Sequence, residues 1–73
     1  MKLQEFLDLI DSSENVRIFH NDTYICELDI EFADLILKAF LDDVVERIET
    51  CQTKTLGGDT IVHLCIYIKT KEN

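Results

Sequence analysis

The sequence predicts a small α+β domain over residues 1-73, a two-layer sandwich in the order α-β-β-α-β-β. Its sheet is expected to be four-stranded and largely antiparallel, with two helices on one face. Two observations carry this. Apolar residues recur at helical spacing over 3–10 and 30–41. Two pairs of β-forming runs, 16–19 with 24–28 and 44–51 with 60–68, each flank turn residues.

Leu3, Phe6, Leu7 and Ile10 follow the i, i+3, i+4, i+7 spacing of one helix face, while Glu5, Asp8 and Asp11 fall opposite. The spacing predicts a first helix over about 2–11, ended by the polar run Asp11-Ser12-Ser13-Glu14-Asn15. Val16-Arg17-Ile18-Phe19 and Tyr24-Ile25-Cys26-Glu27-Leu28 are rich in β-formers. Between them, Asn21-Asp22 tolerate the positive φ of a tight hairpin turn.

Asp29 is a helix N-cap candidate, followed by a second helix over 30–41 whose polar sector holds only Glu31, Asp34 and Lys38. Such an apolar helix is either clasped on several sides or leaves a strip for a homodimer contact. Residues 42–50 continue helical spacing, yet Asp42-Asp43 is a break and Val44-Val45 favours strand. A following strand needs a neighbour, so 44–51 reads as its hairpin partner. Gly57-Gly58 supplies the turn; it lacks the context of a phosphate loop. In the last strand Val62, Leu64, Ile66 and Ile68 share the core face, and Ile61, His63, Cys65 and Tyr67 the other.

Composition bounds the function. At 47% hydrophobic and 30% charged residues, the chain is too apolar for a disordered segment. A chain this small buries only about 60–65% of its unfolded surface, so its core is thin. No apolar run reads as a signal peptide or a membrane span. Cys26, Cys51 and Cys65 form no CxxC pair and are odd in number, which points to free thiols in a reducing cytoplasm.

Charge is the feature that speaks of a partner. Thirteen of fifteen acids lie between Glu5 and Glu49, against only Arg17, Lys38 and Arg47 in that span. Lys2, Lys54, Lys69 and Lys71 outnumber Asp59 and Glu72 elsewhere. A net charge of −8 disfavours direct nucleic-acid binding and anionic membranes. It favours a protein partner with a basic surface. The candidate contact residues are Asp8, Asp11, Glu31, Asp34, Asp42, Asp43, Glu46 and Glu49. If they converge, they present carboxylates where a basic groove expects phosphates. The competing reading is that acidity only keeps a small protein soluble.

Catalytic and metal chemistry find little support. If the second hairpin pairs about Gly58, Cys51 lies near Cys65 with His63 on the same face. That set could hold a soft metal ion, but its spacing matches no usual zinc pattern. Half-buried cysteines acting as small apolar residues are the commoner case. Asp42-Asp43 could bind a cation or do acid–base work, but adjacent acids at a helix end are more often a solvated cap. No enzyme activity, cofactor or metal is expected.

MKLQEFLDLIDSSENVRIFHNDTYICEL, the Phe40-to-Ile48 stretch FLDDVVERI and the strand DTIVHLCIYI together resemble small phage and mobile-element accessory proteins of Gram-positive bacteria. Those proteins pair an "LxELLxLID" helix with an "xVxIxDxDxxLYEG" hairpin, an "LLDxxVxxI" stretch and a "TLVIxI" strand. The resemblance implies a compact α+β accessory protein. Many acidic phage products, some anti-CRISPR proteins among them, bind and block a host protein. The chain departs from the pattern in its longer loop, Gln52 to Asp59, and in its cysteines.

Overall fold

The computed structural model describes residues 1–11 and 14–70. Its elements are α1 (Leu3–Leu7), β1 (Asn15–His20), β2 (Thr23–Asp29), α2 (Ala33–Ile36), β3 (Val44–Lys54) and β4 (Thr60–Lys69). Short 3₁₀ turns at Ile30–Phe32 and Lys38–Phe40 flank α2. The expected α+β class and four-stranded sheet are present. Ser12 and Ser13, in the polar run expected to stop the first helix, lie outside the described residues, as do Lys71 and Glu72.

The first hairpin forms as expected. Asn21 (φ 50°) and Asp22 (φ 67°) take left-handed backbone in a two-residue loop, which matches the twist of the strands it joins. The second hairpin also forms, and β3 runs on to Lys54. Gly58 (φ 87°) turns its five-residue loop, and the Thr55 amide donates to the Asp59 carbonyl at 2.8 Å.

The sheet is mixed, which corrects the largely antiparallel expectation. Strand order is β2-β1-β4-β3, and the central pair β1/β4 is parallel. The cause lies in the connection from β2 to β3. It leaves one sheet edge beside Asn15 and enters the other edge beside Lys69, at the opposite end. That reverses the second hairpin relative to the first. Residues 30–43 therefore cross the sheet's width and length together.

The two-helix layer is also corrected. The first helix ends at Leu7 rather than near residue 11. Beyond it, Leu9 and Ile10 donate to Phe6 and Leu7, the i−3 carbonyls, so the chain tightens. The second helix breaks into 3₁₀, α and 3₁₀ pieces, with Leu37 (φ −102°, ψ 20°) outside helical geometry. Asp29 precedes the first piece but makes no side-chain capping bond. Pieces of three or four residues do not repay helix nucleation, so packing alone sets their path.

That packing buries one stripe. Ile30, Ala33 and Leu37 join Leu3, Leu7, Val16, Ile18, Leu28, Ile66 and Ile68 in the core. Phe32, Leu35 and Ile36 remain exposed, so the segment is covered on one side only. α1 is tied in by its own backbone. Leu3 and Gln4 donate their amides to the carbonyls of Asp43 and Leu41, satisfying helix-start donors that have no intrahelical partner.

The second hairpin outruns the body. β1 pairs with β4 only from Leu64 onward, so Thr60–His63 pair with Cys51–Lys54 alone. This two-stranded arm helps give the molecule its 47 × 23 × 17 Å extents. Val62, expected under the helices, lies on the arm and is 59% exposed. The covering layer does not reach it. Among the described residues, no helix is long and apolar enough to cross a membrane.

Candidate interaction surface

Charge divides by layer. The four strands carry Arg17, Arg47, Lys54 and Lys69 against Glu27, Asp29, Glu46 and Glu49. The covering segments 1–11 and 30–43 carry Glu5, Asp8, Asp11, Glu31, Asp34, Asp42 and Asp43 against only Lys2 and Lys38. The sheet is balanced, and much of the chain's negative excess sits in the segments that cover one of its faces.

Of the eight candidate contacts, five lie exposed in those covering segments: Asp8, Asp11, Glu31, Asp34 and Asp42. Asp8 is the C-cap residue of α1, so it follows from where that helix stops. Glu31 and Asp34 are the outward positions of a segment whose Ile30, Ala33 and Leu37 face the core. Asp42 stands 3.7 Å from Lys2, and both side chains are largely in water, so the pair contributes little.

The other three go elsewhere. The carboxylate of Asp43 meets His20 Nε2 at 3.2 Å, and both side chains are largely withdrawn from solvent. Glu46 occupies the irregularity in β3 between Val45 and Arg47. Glu49 lies on the uncovered face of the sheet, where it pairs with Arg47 at 3.3 Å. The eight carboxylates therefore do not all lie on one face. Strand alternation sends Glu49 to the other side, and the loop before β3 turns Asp43 inward.

The uncovered face has an order of its own. Tyr24, Phe19, Tyr67 and Arg47 form a row across all four strands, each in register with the next. Phe19 stacks on Tyr67 at 4.6 Å and meets Tyr24 edge-on at 5.5 Å. The Arg47 guanidinium carbon stands 3.9 Å over the Tyr67 ring, within cation–π range. Arg47 also reaches Asp22 at 3.4 Å. Burial, then the Glu49 charge, raises the Tyr67 phenol above its ordinary value.

A second row joins Glu27, Arg17, Cys65 and Glu49. Glu27 Oε1 lies 3.1 Å from His63 Nδ1 and 3.6 Å from Arg17 Nε. The second distance is an ion-pair contact and too long for a hydrogen bond, which leaves Arg17 Nε buried without one. Arginine and carboxylate thus offset each other on this face, and little net charge remains to attract a partner.

Cys51, Cys65 and His63 share this face, as pairing about Gly58 requires. The two sulfurs are 2.7 Å apart. The His63 ring is engaged with Glu27. Among the described residues, no three His, Cys, Asp or Glu side chains are disposed to hold one metal ion. No pocket opens among them either. Burial, followed by contact with Cys51, pushes the Cys65 thiol up to about 11. Cys26 packs against the core on the opposite face, where burial also raises its thiol.

The aromatic row was the part that sequence reasoning missed. Its signal was alternation: Phe19 shares parity with Arg17 and is out of phase with core residues Val16 and Ile18. Comparison of the chain with family models, curated proteins and solved structures finds no match.

Proposed function

We propose that the chain is a non-enzymatic protein-binding module that acts through its acidic covering layer. One observation carries this reading: five exposed carboxylates, Asp8, Asp11, Glu31, Asp34 and Asp42, share a layer with only Lys2 and Lys38. The sheet beneath is charge-balanced. A layer of one sign steers basic surfaces toward itself and repels nucleic acid. The partner of this reading is a cytoplasmic host protein with a basic, nucleic-acid-binding groove. Inhibition is by occlusion and involves no chemistry. The resemblance to phage and mobile-element accessory proteins is the ground for reading the host as bacterial and the inhibitor as of the anti-CRISPR kind.

Affinity capture tests this. The tagged full-length chain is exposed to a bacterial lysate at low and high salt, beside a Glu31→Lys/Asp34→Lys variant. The reading predicts basic nucleic-acid-binding proteins that elute with salt or added DNA and that the variant fails to hold. Salt-insensitive capture, or equal capture by the variant, contradicts it.

A second reading, a structural homodimer or assembly subunit, rests on exposed Phe32, Leu35 and Ile36 in the same layer. Apolar side chains clustered on one segment are a common mark of self-association. Sedimentation at micromolar concentration discriminates, since a strict monomer contradicts the dimer.

A further inference from the structure

Cys51 and Cys65 stand at the root of the arm. Leu64 is the first β4 residue to pair with β1, and Cys51 is the first β3 residue whose partner, His63, lies beyond that pairing. The four-stranded body therefore ends and the two-stranded arm begins between these thiols. A lone two-stranded hairpin is marginally stable in water. The sulfurs are already 2.7 Å apart, across 14 residues of chain, against about 2.05 Å in a formed disulfide. Cys26 is held on the opposite face, against the core, and does not compete.

We propose that Cys51 and Cys65 are a reversible dithiol–disulfide staple, closed by exchange with a small-molecule disulfide, that locks the arm to the body. The two sulfurs have different roles. Cys51 is half-buried and reachable from solvent, whereas Cys65 is fully buried. The Cys65 thiol, pushed up to about 11 by burial and by Cys51, keeps its proton at neutral pH. Cys51 is thus the attacking sulfur and Cys65 the resolving one.

In the first step the Cys51 thiolate attacks one sulfur of the small disulfide. A Cys51 mixed disulfide forms, and one thiolate leaves and takes up a proton. In the second, Cys65 gives up its proton and attacks Cys51 Sγ, expelling the second small thiolate. Two protein thiols are oxidised and one external disulfide is reduced to two thiols, so two electrons pass outward. A reducing thiol pool reverses both steps.

The test treats the folded full-length chain with excess oxidised glutathione, quenches in acid and alkylates the thiols that remain. Intact mass and peptide mapping are expected to show two of the three thiols lost to alkylation. The Cys51 and Cys65 peptides are joined, Cys26 is alkylated and the chain is monomeric. Cys65→Ala stalls as a glutathione adduct on Cys51, while Cys26→Ala closes like the parent. A cut in the tip loop separates fragments only after reduction. Three equally alkylated thiols, a crosslink containing Cys26, a crosslink between chains, or a lasting adduct on parental Cys51 would each overturn the proposal.

Discussion

His20 Nε2 lies 3.2 Å from Asp43 Oδ2, and this contact withdraws one of two adjacent acids from the surface. Thr70 Oγ1 also reaches the imidazole at 3.2 Å, and the Phe40 ring stands 5.0 Å away. The node ties the end of β1 to the loop that starts β3. Asp42, one residue earlier, stays 80% exposed. Two neighbouring carboxylates thus differ in setting, one packed against His20 and one exposed to solvent. His20→Ala leaves the Asp43 carboxylate half-buried with one partner fewer. It is expected to cost about 1–3 kcal/mol of folding stability, whereas Asp42→Ala costs under about 0.5 kcal/mol. Urea midpoints of the two variants check this.

Leu35 and Leu37 make the same test within the covering layer. Leu37 is fully buried and Leu35 is 80% exposed. Leu37→Ala is expected to lose about 2–5 kcal/mol, and Leu35→Ala under about 0.5 kcal/mol. Equal losses in urea unfolding would mean that the segment packs differently.

Gly57 and Gly58 are adjacent yet should respond oppositely to a methyl group. Gly58 has φ 87°, where a Cβ meets its own backbone, while a Cβ on Gly57 finds only Thr55 Oγ1, at 3.8 Å. Gly58→Ala is expected to cost about 1–2 kcal/mol. Gly57→Ala should be neutral or slightly stabilising. Thermal unfolding of the two variants distinguishes them.

The buried Cys65 thiol links stability to alkaline pH. Its folded value of about 11 lies above the ordinary 9.0, so the folded state holds the proton longer than the unfolded chain does. The contribution is complete below pH 9 and is lost as pH rises through 11. Its ceiling is on the order of a few kcal/mol. Under reducing conditions, stability should fall more steeply over that window in the parent than in Cys65→Val. Parallel curves would contradict the assignment.

Local chemistry made much of this fold legible. Asn21-Asp22 and Gly57-Gly58 fixed both hairpins, and alternation in β4 assigned Ile66 and Ile68 to the core and His63 and Cys65 to the other face. What escaped depends on distant parts of the chain. The parallel β1/β4 pair follows from the path of residues 30–43 across the sheet, which helical spacing does not encode. That spacing also concealed the break at Leu37, because Ile30, Ala33 and Leu37 keep a helical interval through 3₁₀ and α turns alike. The acidic candidates were readable as charges and unreadable as a surface. Whether Glu49 faces the same way as Asp34 depends on which layer each element joins.

The division of charge by layer makes the binding account testable in one comparison. Affinity for a captured basic partner is measured for the parent, for Glu31→Lys/Asp34→Lys on the covering layer, and for Glu49→Lys on the uncovered face. The account predicts at least a tenfold loss, about 1.4 kcal/mol or more, for the covering-layer variant. It predicts little change for Glu49→Lys and a steep weakening of the parent with salt. Equal losses from both faces, or affinity that ignores salt, would contradict the claim that the covering layer is the binding surface.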